Sequence, residues 1–141
     1  MKRGRVLIVD DEAAIRSLLA IIARRAGCTV DLAVDGVDAI RLLGENEYDV
    51  VLLDLMMPRI NGYEVIDFLK RQRVKATVFV VTATPNIFFR DFDPEIVRSI
   101  IRKPFDVEVV ASIIADAALS ERDDSTAPLL EDSGPGQLQI C

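Results

Sequence analysis

Short apolar runs alternate along the chain with stretches in which apolar residues recur at helical spacing. Val6-Leu7-Ile8-Val9 is continuous and stops at Asp10-Asp11. Behind it, Ile15, Leu18, Leu19 and Ile22 fall at i, i+3, i+4 and i+7, one face of a helix. Asp10 or Asp11 is placed to cap that helix, and Gly27, after Arg24-Arg25, is placed to stop it. Thr29 to Val34 predicts a second strand, and Asp35-Gly36 opens a short helix through Leu43. Val50 to Leu55 predicts a third strand with one polar interruption, Asp54. Met56 to Asn61 predicts a loop, with Asn61 set to cap a helix through Leu69 and Lys70. Thr77 to Val81 predicts a fourth strand ending at Thr82, and Ile100-Ile101 a fifth before Lys103-Pro104. From Asp106, the residues Val107, Val110, Ala111, Ile114 and Ala118 mark a last helix.

Apolar strands without alternation, separated by amphipathic helices, are the pattern of a parallel sheet covered on both faces. Five such strand–helix units in about 120 residues predict a small doubly wound α/β domain over residues 1–120. Residues 121–141 differ in composition. Glu121, Asp123, Asp124, Glu131 and Asp132 against Arg122 leave −4 there, beside Pro128, Gly134, Pro135 and Gly136, and predict a flexible acidic tail.

Composition narrows the chemistry. With 141 residues, half of them hydrophobic, the chain can build one real core. It carries 17 Lys and Arg against 23 Asp and Glu, a net −6, which disfavours a nucleic-acid surface spread over the domain. The absence of histidine excludes Ser-His-Asp and Cys-His catalysis as well as His-ligated zinc or haem. Cys28 and Cys141 are far apart with no CxxC partner, so a disulfide framework is not expected and a reducing, cytoplasmic setting fits better. Val6–Val9 is too short for a signal-peptide core or a membrane span, so no membrane insertion is expected.

Charged residues avoid the ends of buried strands unless they are paired or hold a metal. Singly, Asp11 reads equally well as a helix cap, Asp10 as a solvated strand end and Lys103 as a surface lysine. Asp54 is harder to dismiss, because apolar residues flank it on both sides. If the first and third strands are neighbours, three carboxylates converge where an open parallel sheet binds ligands. Like charges about 4 Å apart repel by roughly 4 kcal/mol at an effective dielectric near 20. Such a cluster calls for a cation, and an all-oxygen donor set suits Mg²⁺. Thr82 and Lys103 end two further strands on the same edge.

This constellation resembles the receiver domain of bacterial two-component response regulators, over roughly residues 4 to 120. The resemblance rests on Val9-Asp10-Asp11-Glu12, on Asp54-Leu55-Met56-Met57-Pro58 with Asn61-Gly62, on Thr82-Ala83 and on Lys103-Pro104-Phe105. It implies the flavodoxin-like, CheY-like five-stranded fold. It also implies that Asp54 accepts a phosphoryl group from a sensor histidine kinase or phosphotransfer protein. By the same resemblance, Asp11, Asp54 and the Met56 carbonyl would ligate Mg²⁺, with Asp10 acting mainly through a metal-bound water. Lys103 and Thr82 would bind phosphoryl oxygens, the small Ala83 would leave access, and Pro104 is a candidate cis-proline.

The sequence departs from that pattern at Ile100, where the family commonly carries a Tyr or Phe that rotates when the Thr moves. Thr84 to Ser99 also makes a poor helix, broken by Pro85 and Pro94, so the fourth helix is expected to be short, displaced or absent. Phe88, Phe89 and Phe92 lie there within five residues. They either refill the gap left by that helix or form an exposed surface for a partner or a self-dimer. Lys70, Arg71, Arg73 and Lys75 read as a solvated face more than a nucleic-acid contact. Met56 and Thr84 lie two residues beyond Asp54 and Thr82, where the family tunes phosphate loss, and the hydrophobic Met56, a poor group to position or activate a water, points to slow self-dephosphorylation. The expected function is a stand-alone, non-enzymatic phosphoacceptor that signals through protein contacts, without direct DNA binding. The alternatives are a receiver-like scaffold that does not switch and, lacking the usual second Asp two residues after the nucleophile, an aspartyl phosphohydrolase.

Overall fold

A computed structural model of the chain describes residues 4–119; the acidic segment 121–141 lies outside them. Five strands, β1 (Arg5–Val9), β2 (Thr29–Ala33), β3 (Val50–Leu53), β4 (Thr77–Thr82) and β5 (Val97–Arg102), form one sheet in the order β2-β1-β3-β4-β5, every neighbouring pair parallel. Four helices accompany it: α1 (Ala13–Arg25), α2 (Gly36–Glu45), α3 (Gly62–Arg71) and α4 (Val107–Leu119). The doubly wound α/β sheet expected from the apolar runs is the fold observed.

The strands lack alternation because both of their faces are covered. Val6, Ile8, Val50, Leu52, Phe79 and Val81 pack with α1 and α4 on one side. Leu7, Val9, Val51, Leu53, Val78 and Val80 pack with α2 and α3 on the other. Strand order reverses between β1 and β3, whose residues Val9 and Leu53 sit side by side. That reversal opens a crevice at the C-terminal ends of these two strands.

Local details differ from expectation in three places. First, β3 ends at Leu53 rather than Leu55, although the Asp54 amide still donates to the Val9 carbonyl at 2.9 Å. Second, neither Asp10 nor Asp11 caps α1; Glu12 holds the cap position without a side-chain bond. The Asp10 carboxylate instead accepts the Glu12 amide at 2.9 Å, closing a tighter turn before the helix begins. Asn61 does cap α3 as expected, in a reciprocal pair with Glu64.

Third, the stretch between β4 and β5 has no α-helix, only a single 3₁₀ turn at Phe89–Asp91. Four helices rather than five therefore cover the sheet among the described residues. The three phenylalanines split. Phe92 is buried with the α2–α3 side of the core and stacks on Tyr63, ring centroids 6.0 Å apart. It belongs to the refilled gap and not to an exposed surface, which corrects its assignment as an interface residue. Phe88 and Phe89 stay 42% and 45% exposed. In the basic run that begins in the last turn of α3, Lys70 pairs with Asp93 at 3.5 Å and Arg71 with Asp67 at 3.0 Å, which is how a solvated face behaves.

Candidate functional site

Each acidic residue is delivered by the end of a strand. β1 and β3 run side by side, so the residues that follow Val9 and Leu53 emerge together at the crevice. A carboxylate oxygen from each of Asp10, Asp11 and Asp54 lies within 4.8 Å of the other two. Asp10 and Asp54 are almost wholly buried, at 1% and 6% exposure, while Asp11 faces solvent. The loop behind Asp54 is held tightly. A Cβ at Gly62 would come within 2.5 Å of the Asp54 carbonyl oxygen and 2.7 Å of the Leu55 Cα, so only glycine allows α3 to start there.

Lys103 arrives from β5 across the sheet, and its own amide donates to the Thr82 carbonyl at 2.9 Å. Its Nζ donates to Asp10 Oδ2 at 3.0 Å and stands 3.9 Å from Asp54 Oδ1 and 3.8 Å from Glu12 Oε1. The Lys103-Pro104 bond is cis. Thr82, fully buried, closes the same edge, and its Oγ1 accepts the Thr84 amide at 3.0 Å. Ala83 is exposed beside it. Met56 is 62% exposed, with its amide turned towards Asp54 Oδ1 at 3.4 Å. Ile100 is partly buried on the α2–α3 side of the sheet, packed and without a polar group.

The electrostatics of the crevice are strained. Burial, and then the neighbouring Asp10 charge, push the Asp54 carboxyl up to about 6 from an ordinary 3.8, against the pull of Lys103 and the Met56 amide. Burial works to lower the Lys103 ammonium, but Asp10, Asp54 and Glu12 outweigh it and the net shift is upward. One ammonium thus faces a cluster that still lacks positive charge. Hard oxygen donors, close spacing and unneutralised negative charge are what a divalent cation such as Mg²⁺ requires.

Sequence reasoning missed several residues here. Arg16 donates through Nη1 to the Asp10 carbonyl at 2.7 Å. Arg59, in the loop after Asp54, hydrogen-bonds Asp35 at the start of α2. The Asp38 amide, and then Arg59, hold the Asp35 carboxyl below its usual range against the opposing effect of burial. Arg102 reaches the loop after Thr82. Isolated arginines carry no signal of this kind in the sequence. A cavity of about 710 Å³ at the opposite ends of the strands, lined by Arg5, Tyr48, Asp49, Arg73 and Lys75 among others, contains none of the expected site residues. No helix among the described residues is long and apolar enough to cross a membrane.

A doubly wound sheet with three carboxylates and a lysine gathered at one edge is the architecture of a receiver module. The chain belongs to the response regulator receiver domain family, whose model matches residues 6–115. It is 43% identical over 79 residues to the transcriptional regulatory protein TcrA of Mycobacterium tuberculosis, a match covering 56% of this chain but only 31% of that protein. Among solved structures it is similar to a CheY-like receiver domain protein from Methanospirillum hungatei, with TM-score 0.75, 30% identity, and 86% and 99% of the two chains covered. It is also similar to the Thermotoga maritima response regulator TrrA, solved in complex with Mg²⁺-BeF, with TM-score 0.72, 28% identity, and 81% and 98% covered. Receiver domains are signalling modules of two-component systems that bind Mg²⁺ at an acidic pocket and interact with histidine kinases or phosphotransfer proteins.

Proposed function

We propose that this chain accepts a phosphoryl group on Asp54 from a sensor histidine kinase or phosphotransfer protein, in a Mg²⁺-dependent reaction, and signals through protein contacts. The observation that carries this reading is the buried Asp54 carboxylate held between Asp10, Asp11 and Lys103 at the mouth of the crevice.

Asp11, Asp54 and the Met56 carbonyl are the residues to hold Mg²⁺, with Asp10 behind them. When bound, the cation supplies charge neutralisation for the transferring phosphoryl oxygens. An Asp54 carboxylate oxygen forms the new bond to phosphorus as the donor's N–P or acyl O–P bond breaks. The bonding pair leaves with imidazole nitrogen or with the acyl carboxylate, and the incoming group is retained as an aspartyl phosphate. Lys103 is already oriented between Asp10 and Asp54, so its ammonium needs only a small movement to meet a phosphoryl oxygen. Thr82 supports the same end of the reaction: its Oγ1 accepts from Thr84 and retains a hydroxyl proton to donate.

A second reading, a receiver that keeps the pocket without switching, is favoured by Ile100, which packs without a ring or a polar group to reorient. Intact-mass measurement with acetyl phosphate tests the first reading. One phosphoryl group should be gained with Mg²⁺, and none with EDTA or in Asp54→Asn. An unmodified wild-type chain would count against phosphoacceptance. Full modification with no change in partner affinity or oligomer size would favour the scaffold.

A further inference from the structure

The connection between β4 and β5 replaces a helix, and a single side chain organises its first half. Arg102, the last residue of β5, stands opposite Thr82 in the strand register. Its Nη1 donates to the Thr84 carbonyl at 3.0 Å, and its other terminal nitrogen donates to the Ile87 carbonyl. The guanidinium also lies 6.0 Å from the centre of the Phe88 ring, which Arg90 approaches more closely, at 4.6 Å. Thr84 in turn donates its amide to Thr82 Oγ1 at 3.0 Å. Hydrogen bonds therefore run from the buried Thr82 hydroxyl through Thr84 and Arg102 to Ile87, and a guanidinium–ring contact continues the path to the exposed Phe88.

We propose that Arg102 is a positioning residue that carries the state of the Thr82 hydroxyl to the exposed Phe88–Phe89 surface, the task for which Ile100 has no suitable side chain. The inference rests on the reading of Asp54 as phosphoacceptor. Thr82 Oγ1 uses one lone pair on the Thr84 amide, and among the described residues nothing accepts its proton. A phosphoryl oxygen on Asp54 is the natural acceptor, since a buried donor left unmade is unfavourable. When Oγ1 turns towards that oxygen, the Thr84 amide either follows or is released. Either way the Thr84 carbonyl shifts against Arg102. A guanidinium is a rigid planar fork, so a carbonyl displaced at one prong is felt at the other. Lysine, with a single flexible ammonium, cannot hold both carbonyls in this way.

The chain has no tryptophan, so Phe88→Trp places one indole at the end of the path. Phe89→Trp, on the neighbouring exposed ring, supplies a second reporter should the first fold poorly. Mg²⁺ with beryllofluoride is expected to shift the indole emission. Adding Arg102→Ala should abolish the shift while acetyl phosphate still modifies Asp54 fully by intact mass, and Arg102→Lys should restore less than half of it. In the unliganded protein, Arg102→Ala is expected to speed exchange of the Thr84 amide about tenfold while leaving the amides of β1 and β3 unchanged. An emission shift that survives Arg102→Ala, or full phosphorylation with no shift in the parent, overturns the role of Arg102 and leaves the phosphoacceptor reading standing. A parent chain that gains no phosphoryl mass overturns both.

Discussion

Replacing Asp54 by asparagine is expected to make the metal-free protein more stable at about pH 8. In the folded chain the Asp54 carboxyl sits near 6 instead of 3.8, chiefly through burial and secondarily through Asp10. Each pH unit of separation corresponds to about 1.36 kcal/mol, so the charged form opposes folding by about 3 kcal/mol above pH 6. The pull of Lys103 at 3.9 Å is already contained in that figure, so asparagine removes the net cost of the charge but introduces a buried amide, and the net gain should be about 1–2 kcal/mol. A carboxyl whose folded pKa lies above its unfolded one binds its proton more tightly when folded. Wild-type stability therefore falls as pH rises from 3.8 towards about 6 and levels off above it. The variant's advantage should be widest above about pH 7 and give way to a deficit of about 1–2 kcal/mol below about pH 4, where the neutral wild-type carboxyl no longer opposes folding and only the cost of the amide remains. Urea unfolding of both proteins in EDTA across that range measures it. A variant no more stable than wild type at pH 8, or one whose advantage grows towards acid, would refute the electrostatic account of the crevice.

Adding Mg²⁺ should reverse that ranking, because wild type gains about 2.7 kcal/mol at one hundred times the dissociation constant and Asp54→Asn gains far less. Thermal melts with and without the metal show this. Lys103→Met leaves the Asp10 carboxylate buried without its ammonium and should destabilise by about 3 kcal/mol in the metal-free state, with the Asp54 carboxyl titrating higher still by NMR. Gly62→Ala drives a methyl into the Asp54 and Leu55 backbone and should cost about 1–3 kcal/mol in urea unfolding, despite alanine's better helix propensity. Phe92→Ala should lose about 2–4 kcal/mol, whereas Phe88→Ala should stay within about 0.5 kcal/mol.

Much of this molecule is written in its apolar runs. Val6–Val9, Val50–Leu53 and Thr77–Thr82 lack alternation because both of their faces are covered, and that alone points to a parallel sheet between helices. Asp10, Asp11 and Asp54 were legible as chemistry because carboxylates are unfavourable at the ends of such strands unless something compensates them. The start of α1 was less legible: Asp10 has the right chemistry for a cap, but its oxygen reaches the amide two residues on, a distinction of one turn of backbone. The fates of the three phenylalanines depend on where the chain passes over Tyr63, a tertiary contact with no local signature. Arg59 and Arg102 were illegible for a related reason. A surface arginine and one that pins a loop carbonyl look the same until the loop is in place.

The most direct test of a cation site beside a reactive carboxylate is a calorimetric titration of Mg²⁺ into the wild-type chain, Asp11→Asn and Asp54→Asn at about pH 7.5. The converging oxygens of Asp10, Asp11 and Asp54 predict one site in wild type, weakened at least about tenfold in each variant, with circular dichroism unchanged. Equal affinity in all three, or no binding heat and no Mg²⁺-dependent rise in melting temperature in wild type, would contradict it.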